Sequence, residues 1–124
     1  MTSAARAKGY RTVAKGKEIF YANGYLYANL EKTGKFVKEK DLFGLWDYLF
    51  IKDRLHVFVQ FKTNEGFGVK RHRKWLAPFI YFGRKHESRN VKYQIWNWID
   101  NKGFEVLECS KKVKQYKVNN NDRI

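Results

Sequence analysis

A chain of 124 residues is long enough for one domain with a hydrophobic core and too short for two ordinary ones. Its content of 44% hydrophobic and 18% aromatic residues excludes the composition of a disordered chain. The 26 Lys and Arg residues against 12 Asp and Glu residues give a formal charge of +14. This charge predicts a polyanionic partner, with nucleic acid as the first candidate and an anionic membrane surface as the second.

Cysteines and histidines offer little for a metal site. Cys109 is the one cysteine, so neither an internal disulfide nor a cysteine-based zinc site is expected. His56, His72 and His86 lack the spacing of zinc ligands. No apolar run has the length of a membrane span, and the N-terminus lacks the apolar region of a secretory signal. We expect a soluble protein of the cytoplasm, or of the host cytoplasm if it is viral.

The first thirty residues predict an arm, a helix and a strand. Residues 1–8 are small and basic without periodicity, and we expect a flexible arm there. Apolar positions in residues 9–23 indicate a short helix that ends at the Asn23-Gly24 pair, although Gly16 weakens its middle. Residues 25–30 alternate in the manner of a strand.

A charged loop follows this strand. Residues 31–41 contain one glycine and a run of charged side chains. Four lysines of this loop, Lys32, Lys35, Lys38 and Lys40, are candidates for contacts with DNA phosphates.

The most informative stretch is a predicted β-hairpin. Two apolar runs, residues 48–51 and 55–61, flank the polar turn 52–54. Gln60 and Lys62 are two residues apart and therefore share one face of the second strand. Antiparallel pairing about the turn places Asp47 opposite them, so an acid, an amide and an amine converge at one end of the hairpin.

The second half of the chain predicts a helix and two further strands. The helix begins near Gly68, and Pro78 ends or bends it. Its first part carries four basic residues that we expect near the polar end of the hairpin and the DNA, namely Lys70, Arg71, Arg73 and Lys74.

A loop at 83–90 then leads to strands at 91–99 and 104–109, in which Trp96 and Trp98 suit core packing or a dimer contact better than base stacking. Residues 110–124 read as a basic, Asn-rich tail. The whole order predicts an α/β domain over residues 9–109, with a mixed sheet.

The order of elements and motifs resembles the PD-(D/E)xK nuclease superfamily, in particular its small Holliday junction resolvase-like members. The motifs that carry the resemblance are a helix ending in Asn-Gly-Tyr, Asp47 at the start of one strand, and Gln-x-Lys followed by Thr-Asn at the end of the next. The resemblance covers roughly residues 9–103. It implies a restriction-endonuclease-like core, which is a mixed β-sheet flanked by helices in αβββαβ order.

The resemblance also implies an activity and its residues. The protein would be a structure-selective DNA endonuclease that depends on Mg²⁺, with Mn²⁺ as an alternative, and hydrolyses phosphodiester bonds of branched or junction DNA. Asp47, Gln60 and the backbone carbonyl of Phe61 would hold the metal ion. Lys62 would orient the attacking water and stabilise the transition state. A homodimer is implied as well, because resolving a junction requires two symmetric cuts.

Two positions depart from the family pattern. Gln60 stands where relatives usually carry an acid, and Val13 stands at the first-helix position that often carries a glutamate. Glu18 lies elsewhere around that helix. The remaining candidates for a substitute carboxylate are Glu39, Asp41 and Glu65. Two alternatives therefore stay open: a catalytically inactive nucleic-acid-binding module on the same fold, and a basic protein that binds an acidic protein partner.

Overall fold

A six-stranded mixed sheet with one helix on each face forms the fold, in a computed structural model that describes residues 3–29, 45–65, 73–119 and 122–124. Its elements are α1 (Ser3–Ala22), β1 (Leu26–Asn29), β2 (Tyr48–Lys52), β3 (Leu55–Thr63), α2 (Arg73–His86), β4 (Val91–Ile99), β5 (Gly103–Glu108) and β6 (Lys114–Val118). The strands lie side by side in chain order; β3 and β4 run parallel, and the other neighbours are antiparallel. The predicted α/β class and mixed sheet are confirmed.

The predicted hairpin is the β2–β3 pair. Its register runs from Tyr48 opposite Val59 to Lys52 opposite Leu55. Asp53 takes a φ of 55° in the tight turn, a conformation that aspartate tolerates better than most side chains. Parallel pairing of β3 with β4 requires a long crossover connection, and α2 lies within it.

Alternating side chains of the central strands pack into two separate hydrophobic cores, one on each face of the sheet. On the α1 side, Phe20 stacks on Phe50 with ring centroids 3.9 Å apart, and the fully buried Trp96 completes this cluster. On the α2 side, Trp46 is fully buried and meets Phe79 edge-on at 5.2 Å. The core role predicted for Trp96 is confirmed.

Gly16 in the middle of α1 has a packing reason. The helix passes so close to β3 at this point that a Cβ at Gly16 would overlap the ring of Phe61. Only glycine lets the helix reach this distance, so the residue that weakens the helix locally is required by its docking on the sheet.

Helix α1 begins at Ser3, six residues before its predicted start, so most of the predicted arm at 1–8 is helical. The extra residues include Ala4, Ala5 and Arg6, which favour helix without forming an apolar stripe. The prediction was therefore wrong because it relied on apolar periodicity. No helix among the described residues is both long and apolar enough to cross a membrane.

Helix α2 continues through Pro78 to His86. Pro78 therefore does not end the helix, which was one of the two outcomes predicted for it, and the loop predicted at 83–90 begins later. Pro78 lies in the second turn, where it lacks the N–H that would bond to the carbonyl of Lys74, and the buried neighbours Leu76 and Phe79 hold the turn on the core. The start predicted near Gly68 and the loop at 31–41 lie outside the described residues.

The predicted tail at 110–124 contains a strand. β6 extends the sheet beyond β5, and its last residue, Val118, is buried opposite Phe104. The other residues of β6 are exposed, so the strand lacks the alternation on which the prediction depended. Tyr116 has 38% of its surface accessible, but its hydroxyl end lies against the sheet, where it accepts a hydrogen bond from Nε2 of the buried Gln94 at 3.3 Å. The C-terminal Ile124 packs against the α1-side core, and its backbone N–H donates to Asn23 Oδ1 at 3.1 Å.

Candidate functional site

Asp47 and Gln60 meet at the polar end of the hairpin. Continuing the β2–β3 register by one step sets Asp47 opposite Gln60. One outer atom of the Gln60 amide lies 2.9 Å from Oδ2 of Asp47 and 3.0 Å from the backbone oxygen of Leu45. The convergence of acid and amide predicted from the sequence is therefore present.

The Gln60 amide can use these neighbours in two ways. With its nitrogen at this position, the side chain donates hydrogen bonds to Asp47 and Leu45, and its oxygen faces donors on the other side. With its oxygen there, that oxygen lies within 3.0 Å of two further oxygens, Asp47 Oδ2 and the Leu45 carbonyl oxygen. Adjacent oxygens bound to Mg²⁺ at about 2.0–2.1 Å lie about 2.9 Å apart in octahedral geometry. The spacing therefore fits two states of the site. Without a cation the Gln60 nitrogen donates hydrogen bonds, and with a cation the Gln60 oxygen is a neighbouring ligand.

The cluster contains a single carboxylate. Among the described residues, no group of three or more His, Cys, Asp and Glu side chains could hold a metal ion. Val13 packs against the α1-side core, and Glu18 on the same helix is exposed. Of the candidate substitute acids, Glu39 and Asp41 lie outside the described residues. The oxygens shown around Gln60 are therefore those of one carboxylate and one backbone carbonyl.

Lys62 lies two residues beyond Gln60 on the same face of β3. Its side chain is half-buried, and its Nζ lies 5.2 Å from the centre of the Trp75 ring. Phe61, which lies between Gln60 and Lys62 in β3, turns its side chain to the opposite side of the sheet. There the centroid of its ring lies 5.2 Å from that of Tyr48. The buried Phe61 side chain anchors the strand segment whose backbone carbonyl is a predicted metal ligand.

Asn97 anchors the chain just beyond this segment, a role that the sequence reading missed. It lies beside Lys62 in the β3–β4 register and is fully buried. Its Oδ1 accepts the backbone N–H of Glu65 at 3.0 Å, and its Nδ2 donates to the backbone oxygen of Glu65. The sequence carries one signal for this role, since Asn97 continues the alternation that buries Tyr93 and Ile95. A buried amide requires hydrogen-bond partners.

The Thr-Asn pair after Lys62 has structural contacts. Thr63 Oγ1 lies 2.7 Å from Oγ1 of the buried Thr12, which ties α1 to the end of β3. Asn64, at a φ of 55°, donates from Nδ2 to Asp100 Oδ2 at 3.1 Å, and its Oδ1 accepts the Asp100 N–H at 3.1 Å. These bonds tie the end of β3 to α1 and to the residue that follows β4.

The predicted DNA contacts are described only in part. Lys32, Lys35, Lys38, Lys40, Lys70 and Arg71 lie outside the described residues. Arg73 opens α2, and Lys74 is exposed on its first turn, directly before the Trp75 that contacts Lys62. One predicted phosphate contact, Lys74, is thus exposed on the first turn of the helix that also carries Trp75.

The resolved pKa shifts include two on the β5–β6 side of the sheet. Burial, with the Glu108 carboxylate second, raises the pKa of Cys109 to about 12 and that of Tyr116 to about 12. Glu108 lies opposite Gln94, three residues along β4 from Asn97.

No family model matches the chain, and comparisons with curated proteins and with solved structures gave no match.

Proposed function

We propose that this protein is a metal-dependent, structure-selective DNA endonuclease on a restriction-endonuclease-like core. The observation that carries the proposal is the position of the Gln60 amide, one outer atom of which lies 2.9 Å from Asp47 Oδ2 and 3.0 Å from the Leu45 carbonyl oxygen, with Lys62 on the same strand face. A carboxylate paired with an amide, on a strand face that also carries an ammonium group, supplies the residue types that phosphodiester hydrolysis needs.

Each residue contributes a separate part of this chemistry. Asp47 supplies the negative charge that binds a divalent cation, and Gln60 adds a neutral oxygen ligand when its amide is rotated. A bound Mg²⁺ ion, or Mn²⁺ in its place, would activate water and neutralise charge on the phosphate. The ammonium of Lys62 stabilises the extra negative charge that develops on the phosphate during attack.

The substrate class follows from charge and from the kind of contact that lysine makes. A formal charge of +14 on 124 residues favours a DNA backbone as ligand. Lysine contacts to phosphates carry little base information, so the proposal is recognition of DNA shape, as at branched or junction DNA. The resemblance to Holliday junction resolvases also implies a homodimer, whose two sites would make the paired cuts.

The test is cleavage of end-labelled four-way, flap and linear duplex DNA by the purified protein, in Mg²⁺ and in EDTA. We expect cutting of the branched substrates in Mg²⁺ alone, and loss of cutting in Lys62→Ala. The matched control is Lys52→Ala, because Lys52 lies at the other end of the same hairpin and is exposed. The absence of cutting on every substrate overturns the proposal.

The packing of Val13 favours a second candidate, a binding module without catalysis. Because Val13 contributes no acid and lies against the core, the oxygen cluster has fewer charges than a family member with a first-helix glutamate. Such a module would bind branched DNA with equal affinity in Mg²⁺ and EDTA, and Asp47→Asn would leave that affinity unchanged. Its binding would still fall steeply with salt.

A further inference from the structure

The contact between Lys62 and Trp75 joins the candidate site to the helix on the other side of an undescribed segment. Lys62 Nζ lies 5.2 Å from the indole centre, within the range of a cation–π contact. Trp75 is the third residue of α2, whereas Lys62 lies near the end of β3. The pair therefore brings together two elements that meet at the polar end of the hairpin.

The indole ring is itself held in place. Trp75 packs edge-on against Phe79 with ring centroids 5.8 Å apart, and Phe79 is buried in the α2-side core. A ring fixed by the core is a rigid surface. A lysine side chain has four rotatable bonds, and holding it in one rotamer costs conformational entropy. Contact with this surface restricts where the ammonium of Lys62 can lie.

From this geometry we propose that Trp75 is a positioning residue, which holds the Lys62 ammonium at the site through the face of its indole ring. The inference rests on the proposed function and adds to it a residue outside the Asp, Gln and Lys set. Restricting the ammonium matters because a charge stabilises a transition state only when it is already in place as the phosphate charge develops.

The protein contains a matched control for this pair. On the opposite side of the sheet, Lys15 of α1 lies with its Nζ 3.9 Å from the centre of the Trp98 ring. Trp98 is half-buried, as Trp75 is, and packs against Phe104. Replacing Trp98 removes a comparable lysine–tryptophan contact and a comparable aromatic volume without touching Lys62.

The direct test is NMR of the full-length protein with ¹³C-labelled lysine. The ring current of Trp75 shifts the ε-methylene protons of Lys62 in the wild type, and the resonance is assigned by its loss in Lys62→Ala. We expect Trp75→Leu to abolish this shift, Trp75→Phe to keep part of it, and Trp98→Leu to leave it unchanged. A Lys62 resonance that does not move in Trp75→Leu overturns the inference.

Kinetics separate positioning from a merely structural role. Trp75→Leu should lower kcat on junction DNA by roughly tenfold with KM nearly unchanged, the scale of one cation–π contact. Trp75→Phe should restore most of the loss, and circular dichroism checks that each variant is folded. Loss of the Lys62 shift with unaltered kcat also overturns the inference. Wild-type protein that cuts no DNA overturns the proposed function instead, whatever the NMR result.

Discussion

Asp47 and Gln60 face each other across the β2–β3 hairpin, with Oδ2 of the acid 2.9 Å from an outer atom of the amide. The same distance serves a hydrogen bond from the amide nitrogen and an oxygen pair on one cation. Binding a cation here therefore requires the amide to give up two hydrogen bonds as it rotates. Under the proposed function, Gln60 would lower the affinity of the site for a metal ion in two ways, through its lack of charge and through this competition.

The variant Gln60→Glu tests this relationship. The added carboxylate should raise affinity for Mn²⁺ by about tenfold or more, measured by isothermal titration calorimetry. In EDTA the same variant should lose about 2 kcal/mol of unfolding free energy, because two hydrogen bonds are replaced by carboxylate repulsion. Gln115→Glu makes the same charge change on an exposed position of β6 and should alter neither quantity. Equal Mn²⁺ affinity in wild type and Gln60→Glu would contradict the proposed ligand role.

The hydroxyl pair of Thr12 and Thr63 should contribute to stability. Thr12→Val keeps the side-chain shape but leaves Thr63 without its partner hydroxyl at 2.7 Å, so we expect a loss of about 1–2 kcal/mol in urea unfolding. The double variant with Thr63→Val should lose about 1 kcal/mol less than the sum of the two single losses. Additive losses would mean that the two hydroxyls do not interact.

Gly16 and Gly9 predict opposite results for one substitution in one helix. Gly16→Ala forces a methyl group into the Phe61 ring and should cost about 1–3 kcal/mol. At Gly9 a Cβ would meet nothing within 4 Å, so Gly9→Ala should stabilise the protein by up to about 1 kcal/mol through helix propensity. Urea denaturation of both variants measures the difference. A stabilising Gly16→Ala would show that α1 does not approach β3 so closely.

The raised pKa values of Cys109 and Tyr116 predict a loss of stability at high pH. At neutral pH both groups keep their protons in the folded and in the unfolded protein. Above the ordinary values of 9.0 for Cys109 and 10.0 for Tyr116, the unfolded chain loses these protons first, since burial raises both pKa values to about 12 in the folded protein. The free energy of unfolding should therefore fall between about pH 9 and 12.

Thermal unfolding from pH 8 to 11 measures this fall. Tyr116→Phe removes one of the two groups and should make the fall shallower than in the wild type. Tyr81→Phe, the same change at an exposed tyrosine of α2, should leave the slope as it is. A Tyr116→Phe slope equal to that of the wild type would contradict the linkage.

Local patterns predicted the hairpin and the pairing of Asp47 with Gln60, because both depend on alternation and a short turn. The role of Asn97 could not be predicted in the same way, since its partner Glu65 lies 32 residues away in the chain. β6 was missed for a different reason. An edge strand has one neighbour and few buried side chains, so its sequence shows neither alternation nor a run of apolar residues.

The most direct measurement of the central claim compares Asp47→Asn with Asp53→Asn on one four-way junction in Mg²⁺. Both changes remove one carboxylate from the same hairpin, but Asp53 lies in the exposed turn, at a φ of 55° that asparagine accepts. We predict that Asp47→Asn cuts the junction at least about 100-fold more slowly than the wild type, while Asp53→Asn cuts at the wild-type rate and both bind the junction. Cutting by Asp47→Asn at the wild-type rate would contradict the account.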